Sequence, residues 1–455
     1  MKRRAAGSGN ALSCERLRPS AECRKMSDMR ILLVNPPATC VEDDRMEPPL
    51  GLLYVAARAR EAGYEDVSVL DMSGCSSEAR IAASIDSLPV ADVYGLTCFC
   101  TNYPYAKKIV AQARKIEPRA GIVIGGPQAS GLPEFTLLDS GADAVVVGEG
   151  EDAFTEYVDS VAWGKPINGT LRGQPRADID SYPFPARDLV DLSTYSRRIL
   201  GHPTISLISS RGCAHRCTHC NSVVMGGGSL SARYRSPDNV AHEVQSLRDA
   251  YRHFRFNDDH FTGNRNLEAL LERLKDLDIV FRVFARVEDL TERTCALLKQ
   301  AGCVLVSIGL ESLNPDNLKM LGKASQAGKE GNVAIARRRG LTTRASFIVG
   351  LPYDSDRSIE ENFTKAAALG LDEFSVYALI PYPGTAIARD PAKFGYTIVH
   401  TDFTDYVQLG KGRRTCCALQ HRNFGPHDVR RWKKMAEAVL ESGGCNHMKK
   451  SEVAH

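Results

Sequence analysis

The feature that most constrains the fold is a regular alternation of short apolar runs and amphipathic segments, which starts at residue 29. Each apolar run has the length of a strand, and the segments between them space their apolar residues as a helix does. The runs are "MRILLVN", "VSVLDM", "DVYGLTCF", "GIVIGG" and "ADAVVVG". Strands that alternate with helices form a parallel sheet covered on both faces. Residues 29–164 are therefore predicted to form a doubly wound, Rossmann-like domain that binds ligands at the carboxyl edge of its strands.

The same alternation restarts near residue 204 and continues through a second set of apolar runs. These are "TISLISS", "FRFNDD", "FRVFARV", "VLVSIGLES", "TTRASFIVGLP" and "EFSVYALIPYPGT". Such a series predicts a partial (β/α)6 barrel, with reactive groups at the carboxyl ends of its strands. The predicted α/β chain then divides into a disordered extension (1–28), the Rossmann-like domain (29–164), a Pro- and Arg-rich linker (165–200), the barrel (201–390) and a small helical C-terminal segment (391–455).

Composition and charge narrow the class of partner. The 455 residues include 58 Lys and Arg against 55 Asp and Glu, a net charge of +3. A net charge this small gives only a weak positive electrostatic field, which argues against nucleic acid as an obligatory partner. The sequence has no apolar run of about 20 residues, and its basic start lacks the apolar region of a secretory signal. We therefore expect a cytoplasmic protein without a membrane partner, whose 14 cysteines are not a disulfide framework.

Residues 209–222, "SSRGCAHRCTHCNS", directly follow the first predicted barrel strand and are called the cysteine loop below. Their C-x3-C-x2-C pattern supplies three thiols: Cys213, Cys217 and Cys220. One alternative is a zinc site completed by His215 or His219, since structural zinc takes four ligands. The other is a [4Fe–4S] cluster, in which three cysteines leave one iron open to a small molecule.

A series of short motifs, in a fixed order along the chain, resembles one family. The motifs are "NPP", "PPLGLLYVA", "GEGE", "YPFPARD", the cysteine loop, "NDDHFTGN", "GLES", "FIVGLP" and "IPYPGT". Together they are similar to the radical S-adenosylmethionine (SAM) superfamily, in the branch with an N-terminal cobalamin-binding-type domain. The resemblance implies that the three cysteines hold a [4Fe–4S] cluster whose open iron binds SAM. It also implies reductive cleavage of SAM to a 5′-deoxyadenosyl radical, which abstracts hydrogen from a carbon of the substrate.

The resemblance further implies SAM-binding roles for residues at the later strand ends. Asp258 or Asp259 would hold the amino group of SAM, because a carboxylate suits an ammonium. Glu311 would contact the ribose or the methionine part, with Ser307 nearby. The remaining implied contacts are His219 beside the adenine, Arg344 at the methionine carboxylate, and the backbone of residues 348–352, including Gly350, along the adenine.

Cobalamin is left open as a third cofactor. Residues 258–263, "DDHFTG", match the D-x-H-x-x-G pattern that supplies a cobalt-binding histidine in many cobalamin enzymes. We reject that role because the pattern follows a barrel strand rather than the first strand of the N-terminal sheet. The branch commonly lacks the motif, so cobalamin binding stays open. A methylthiotransferase would need a second cluster on Cys40, Cys75 and Cys98 or Cys100, and the motifs around these cysteines do not match that family.

The first expectation for the reaction is cobalamin-dependent C-methylation of a small natural-product or sugar substrate. The alternative within the family is a cobalamin-independent radical elimination, such as diol dehydration of an aminosugar in antibiotic biosynthesis. The alternative outside it is a non-catalytic zinc or iron–sulfur protein. Expected partners are the small substrate, flavodoxin or ferredoxin as electron donor and, for elimination, a companion NAD(P)H-dependent reductase.

Two further groups of residues are candidates for the chemistry. The acidic loop, which contains Glu42, Asp43, Asp44 and Glu47, lies at a predicted ligand-binding strand end. It would bind an aminosugar or polyamine-like substrate through charge-assisted hydrogen bonds. The adjacent Cys416 and Cys417 would act as an auxiliary thiol or hydrogen donor if the C-terminal segment reaches the active site.

Overall fold

The computed structural model describes residues 25–226, 231–408 and 415–447. The predicted disordered extension, residues 1–28, lies almost wholly outside this part of the chain, and Met26–Asp28 form one helical turn at its start. Two α/β bodies follow, each built on a parallel sheet. Within the described ranges, none of the helices is both long and apolar enough to cross a membrane.

The N-terminal body is a parallel sheet with helices on both faces. Its strands are β1 (Ile31–Asn35), β2 (Val67–Asp71), β3 (Val93–Thr97), β4 (Gly121–Gly125), β5 (Ala144–Val147) and β6 (Gly169–Arg172). Its helices are α1 (Leu50–Glu61), α2 (Glu78–Asp86), α3 (Tyr103–Ile116), α4 (Pro127–Gly131), α5 (Pro133–Ser140) and α6 (Glu151–Ala162). The strand order β2-β1-β3-β4-β5-β6 changes direction between β1 and β3. This is the order of a doubly wound sheet and confirms the predicted Rossmann-like fold.

The strands of this sheet are apolar along their length because helices cover both faces. In β1, Leu33 shares a core with α1 and α6, including Phe154. Its neighbours Leu32 and Val34 point to the other face, where α2 and α3 complete a second core. Since both faces are closed, ligands can reach the sheet only at its edges. The loops after β1, β3, β4 and β5 meet at the carboxyl edge.

The second body is the partial barrel. Its strands and short hairpins are β7 (Arg198–Ile199), β8 (His202–Leu207), β9 (Ser210–Arg211), β10 (Arg233–Tyr234), β11 (His253–Phe256), β12 (Val280–Ala285), β13 (Cys303–Glu311), β14 (Thr342–Val349) and β15 (Glu373–Ala378). Its helices are α7 (Ser222–Met225), α8 (Pro237–Leu247), α9 (Leu267–Lys275), α10 (Glu292–Gln300), α11 (Pro315–Met320), α12 (Asn332–Arg338) and α13 (Asp356–Ala368). Neighbouring strands run in parallel from β8 through β11, β12, β13 and β14 to β15. These are the predicted barrel strands, and the predicted fold class is confirmed.

Two parts of the fold differ from the sequence-based expectation. β6 lies inside the segment assigned to the linker and pairs in parallel with β5, from Ala144 opposite Gly169. Its sequence, "GTLR", is short and contains glycine, which makes a weak strand signal. After α14 (Ala386–Arg389), which ends the range assigned to the barrel, the C-terminal segment contains more than a helix: β16 (Tyr396–Ile398), β17 (Leu419–His421), α15 (Pro426–Ser442) and β18 (Asn446–His447). It covers one side of the barrel, because β18 pairs with β15 and α15 packs on α13.

Candidate active site between the sheet and the barrel

The cysteine loop leaves β8 and crosses the mouth of the barrel. Its three cysteines are partly buried free thiols. The loop rests on the end of α11, where the Thr218 N–H donates to the Leu321 carbonyl at 3.1 Å. Gly322 has φ +75°, and a Cβ there would lie 2.9 Å from the Arg216 carbonyl oxygen. Glycine is required at this close approach, so the end of α11 shapes the loop.

Two cationic side chains face the thiols. Arg286, which follows β12, places Nη1 4.0 Å from Sγ of Cys217. His260 bonds Asp289 through Nε2 at 2.5 Å and also contacts the thiol of Cys213. Burial alone would lower the pKa of His260, but Asp289 and Cys213 raise it to about 9. Burial raises the pKa of Cys217, while Lys323 and Arg286 act in the opposite direction by stabilising the thiolate, which is the form that binds metal.

The chemistry of this donor set fits an iron–sulfur cluster. Three thiols from one loop, with cations beside them, can ligate three irons of a [4Fe–4S] cluster and leave the fourth open. A cluster spreads its sulfur ligands around a cube, whereas a single ion gathers its ligands at one point. In residues 25–226, 231–408 and 415–447, no three His, Cys, Asp or Glu side chains are gathered around one such point.

Asp258 and Asp259 both follow β11 but have different surroundings. Asp258 is 1% exposed, and its carboxylate accepts from the Ser209 hydroxyl at 2.7 Å and from the Ser210 hydroxyl. It therefore fixes the start of the cysteine loop. Asp259 accepts from the Ser222 hydroxyl at 2.6 Å and lines an open cavity. In the structure Asp258 therefore contacts the start of the cysteine loop and Asp259 lines the cavity, and a contact of either carboxylate with the amino group of SAM stays a prediction.

Glu311 ends β13 in the left-handed region of the backbone, with φ +62°. Its Oε1 lies 2.9 Å from Nζ of Lys323, which also donates to the Gly309 carbonyl at 2.7 Å. Burial acts to raise the pKa of Glu311, but the ammonium of Lys323 brings it below its usual value. The carboxylate is therefore ionised. A strained, non-glycine residue is kept where its position matters, which suits the predicted contact of Glu311 with SAM.

Two other predicted SAM contacts carry buried polar atoms that have no partner among the described residues. These atoms are Nδ1 of His219 and Oγ of Ser307. Burial lowers the pKa of His219 to about 4, so its ring is neutral. A buried polar atom without a partner is costly, and a bound polar ligand would satisfy it. SAM, which carries an ammonium, a carboxylate and ribose hydroxyls, fits this set of donors and acceptors.

Arg344 and Gly350 have partners within the protein. Arg344 is 4% exposed, and its Nε donates to Oε2 of Glu373 on the neighbouring strand at 2.7 Å. Gly350 has φ +85°, its N–H donates to Asp354 at 2.9 Å, and its carbonyl accepts from the Tyr396 hydroxyl at 2.7 Å. Contacts of these two residues with SAM stay predictions.

A cavity of about 630 Å³, called the sheet-edge cavity below, opens between the two bodies. The N-terminal body lines it with the carboxyl ends of its strands, and the barrel lines it with the ends of the cysteine loop and Asp259. Gly125 has no side chain, and a Cβ at this position would meet only Val146, at 3.9 Å. The wall of the cavity is therefore flat and open at Gly125. An open, mostly apolar cleft at the carboxyl edge of a doubly wound sheet fits the flat face of a corrinoid.

The histidine of the D-x-H-x-x-G pattern is placed away from this cavity. The ring of His260 packs against His215, with the ring centroids 5.2 Å apart, and bonds Asp289 within the barrel mouth. The pattern therefore belongs to the surroundings of the cysteine loop. This placement agrees with its rejection as a cobalt ligand.

The acidic loop is held by contacts inside the protein. Asp44 accepts from two backbone N–H groups, each at 2.8 Å, and Asp43 accepts from the Ser196 hydroxyl. Glu42 is also engaged in the structure. Of the three, Asp44 lines the sheet-edge cavity. A role of Glu42, Asp43 and Asp44 in binding substrate stays a prediction.

Sequence reasoning placed Glu47 in the acidic loop as a substrate-binding carboxylate and did not predict the contacts that join the two bodies. In the structure Glu47 pairs with Arg197 at 2.8 Å and with Arg255. Its other oxygen accepts from the Ser206 hydroxyl at 2.7 Å. These partners are far from Glu47 along the chain, so no local pattern could have indicated them.

The "GEGE" motif makes a second connection between the bodies. Arg211 lies 2.6 Å from Glu151 and 3.4 Å from Glu149, and Glu149 also pairs with Arg233. Arg211 stands two residues before Cys213. The N-terminal body therefore holds the start of the cysteine loop. The opposite charges of these two motifs are a signal that sequence reasoning could have used.

Cys416 and Cys417 line a separate cavity of about 570 Å³, together with Cys40, His400 and Asp405. Burial raises the pKa of Cys416 to about 12, so the group is a neutral thiol. A hydrogen donor needs that form. Its participation in the reaction stays a prediction.

Comparison with known proteins agrees with this geometry. The family model of the B12 binding domain matches residues 38–158, and that of the Radical SAM superfamily matches residues 207–366. The two matches fall on the two bodies that border the sheet-edge cavity.

Relatives and solved structures cover both bodies together. An uncharacterized methyltransferase of Pyrococcus horikoshii is 30% identical over 390 residues, which span 80% of this chain and 83% of that protein. The cytidylyl-2-hydroxyethylphosphonate methyltransferase of Streptomyces wedmorensis is 26% identical over 442 residues, with coverage of 81% and 82%. The radical SAM methyltransferase TsrM of Kitasatospora setae, solved with cobalamin and a [4Fe–4S] cluster, shares the fold with a TM-score of 0.66 over 91% of each chain, at 18% identity.

Fold and site together define a radical SAM enzyme whose N-terminal body is a B12-binding domain. The chain belongs to the radical SAM superfamily, in the branch that carries this domain. The predictions of family, fold class and enzymatic character are confirmed. Membership implies SAM and a [4Fe–4S] cluster as cofactors, and the B12-binding domain supports cobalamin as a third. The non-catalytic zinc alternative is set aside.

Proposed function

We propose that this enzyme methylates a carbon atom of a small substrate, with SAM as the methyl source and cobalamin as the carrier. The observation that carries the proposal is the shared wall of the sheet-edge cavity. Strand ends of the B12-binding domain form one side, and Gly212 and Ser222 of the cysteine loop form the other together with Asp259. A corrinoid on the sheet edge and SAM at the barrel mouth would therefore border one space.

The residues of the chain hold and orient the reactants in this proposal. When bound, the cluster supplies the electron that cleaves SAM, and cobalamin supplies methyl-transfer chemistry. The predicted cluster ligands are Cys213, Cys217 and Cys220. Asp259 and the ionised Glu311 would take the ammonium and the hydroxyls of SAM, since charge-assisted hydrogen bonds are strong. Asp258 and Arg211 keep the cysteine loop in place through the contacts described above.

We also propose that the electron arrives from an acidic donor, such as flavodoxin or ferredoxin, at the outer face of the cysteine loop. Arg216 in the loop and Lys319 on α11 are exposed there. A positive surface speeds the approach of an acidic partner, and salt screens that effect. Reduction of the cluster by flavodoxin should therefore slow as ionic strength rises, which stopped-flow absorbance would measure.

The test of methylation uses the full chain, reconstituted anaerobically with iron, sulfide and hydroxocobalamin. After gel filtration, the protein should retain the visible spectrum of a corrinoid. Incubation with CD3-labelled SAM, a reductant and candidate small natural products should then give a product that carries the CD3 group. Mass spectrometry of the product locates the label.

The elimination alternative predicts a different outcome of the same experiment. The protein would lose the corrinoid on gel filtration and form 5′-deoxyadenosine together with a dehydrated product. That result would replace methylation by radical elimination as the function.

A further inference from the structure

A smaller pocket lies beside the sheet-edge cavity and is called the aromatic pocket below. Its volume is about 330 Å³, and it shares Phe99 and Pro127 with the larger cavity. Its walls come from the strand ends of the B12-binding domain, the end of the cysteine loop and the segments after β15. The side chains that matter here are Phe99, Gln128, Asn221, Tyr382, Tyr406 and Val407.

Gln128 is the unusual member of this wall. It is 1% exposed, yet neither Nε2 nor Oε1 has a hydrogen-bond partner among the described residues. Asn221, next to Cys220 in the cysteine loop, has a buried Oδ1 in the same state. Buried polar groups are normally paired, and an unpaired one is costly. Two such side chains on one pocket wall point to a ligand that completes their hydrogen bonds.

The chemistry of an amide defines what that ligand must offer. A glutamine amide presents a donor and an acceptor side by side. It is satisfied at both atoms by a partner with an acceptor next to a donor, as in a carboxamide, a lactam or the edge of a nitrogen heterocycle.

The other side chains of the aromatic pocket determine its shape and its lack of charge. None of the described residues that line it carries a charged side chain. Phe99 is 49% exposed, and the rings of Tyr382 and Tyr406 complete an aromatic wall. Burial raises the pKa of the Cys100 thiol to about 12, which leaves the pocket neutral. A flat, neutral ring fits such a site, whereas an ammonium or carboxylate would lose its hydration without compensation.

We propose that the aromatic pocket is the substrate subsite, and that it binds a flat aromatic or heteroaromatic substrate through an amide-like edge paired with Gln128. The proposal deepens the proposed function, because Phe99 and Pro127 place this ring beside the sheet-edge cavity. It also replaces an aminosugar by a neutral ring as the substrate class. Binding in the pocket itself does not require cobalamin.

The test uses the full chain with a reconstituted cluster and no corrinoid, and follows three probes by ¹⁹F NMR. The probes are 4-fluorobenzamide, 4-fluorobenzoate and 4-fluorotoluene, which share one ring and differ in the group offered to Gln128. The benzamide should bind more tightly than the benzoate. In Gln128→Leu its affinity should fall at least about tenfold, while that of fluorotoluene is kept or rises, because an apolar group replaces the unpaired amide.

Gln326→Leu is the matched control. Gln326 is 3% exposed and also has both amide atoms without a partner in the described part of the chain, but it is not part of the pocket wall. Its replacement should leave benzamide binding unchanged. Three results would overturn the proposal: equal binding of benzamide and benzoate, unchanged benzamide binding in Gln128→Leu, or no binding of any probe. Failure of the methylation proposal is read separately, from corrinoid retention.

Discussion

The barrel mouth and the sheet-edge cavity are neighbours, but their walls differ in what they offer a ligand. At the barrel mouth, charged groups are buried and paired, as in Glu311 with Lys323, and the backbone is strained at Glu311. The sheet-edge cavity has paired charges where the two bodies meet, as in Glu151 with Arg211, but strand ends, glycines and apolar side chains form most of its lining. A small charged cofactor needs polar groups that are already in place, whereas a large flat ring needs room and contact area. Substitutions in one region should therefore impair the binding of its own cofactor and leave the cofactor of the other region bound.

The largest effect is expected for Cys217→Ala, which removes one of the three predicted cluster ligands. SAM cleavage should fall by at least about 10³-fold, as for members of a catalytic unit. Iron content should fall as well, while corrinoid binding at the sheet-edge cavity is kept. Iron analysis, 5′-deoxyadenosine formation and visible spectra measure these effects. The matched control is Cys303→Ala, since Cys303 is 0% exposed in the barrel core and should affect stability only. Full iron content in Cys217→Ala would refute the ligand assignment.

The next effect concerns the buried pair at the barrel mouth. Glu311→Gln leaves the buried Lys323 without its partner, so the free energy of unfolding should fall by about 3 kcal/mol. The double variant Glu311→Gln with Lys323→Met should recover most of that loss, because no lone charge remains. SAM affinity should stay low in both variants. Denaturant unfolding and calorimetric titration with SAM give the two readouts. If SAM bound normally to the double variant, Glu311 would have only a structural role.

A smaller effect is expected where the two regions are joined. Arg211→Gln removes the ion pairs with Glu151 and Glu149. The free energy of unfolding should fall by about 2 kcal/mol, which is less than for a fully isolated buried charge, because Glu149 still pairs with Arg233. Unfolding should then separate into two transitions, one for each body, in calorimetry. Arg293→Gln is the control, because its pair with Glu268 is on the surface and contributes little. A single, unshifted transition in Arg211→Gln would show that this connection does not couple the bodies.

The smallest effect is expected from the wall of the sheet-edge cavity. Gly125→Val adds a side chain where there is space for a Cβ, so the protein should fold normally. The added methyl groups should weaken corrinoid binding by about tenfold or more, or about 1.4 kcal/mol, and leave the cluster intact. Gly331→Val is the control, since Gly331 also has open space around its Cβ position but lies in the barrel away from the cavity. Unchanged corrinoid affinity in Gly125→Val would place the cofactor elsewhere.

Much of the site could be predicted because its signals are local. The cysteine spacing and the apolar runs of the strands lie within short stretches of sequence, and each strand end is marked by its polar residue. Features that depend on distant parts of the chain could not be predicted in this way. "GTLR" becomes a strand only because β5 offers it an edge, and the neighbours Asp258 and Asp259 differ only in what the fold places beside them.

The sequence by itself determined that this chain forms a doubly wound sheet and a barrel and that it belongs to the radical SAM superfamily, with the three cysteines after the first barrel strand as its predicted cluster ligands. Periodicity and motif spacing encode these features within a few residues. Only the tertiary structure decided how the two bodies meet, through Glu47 with Arg255 and Glu151 with Arg211. It also decided that Gln128 is buried without a partner on the wall of a neutral pocket. Such features depend on contacts between residues that are far apart in the chain, so a local sequence pattern cannot predict them.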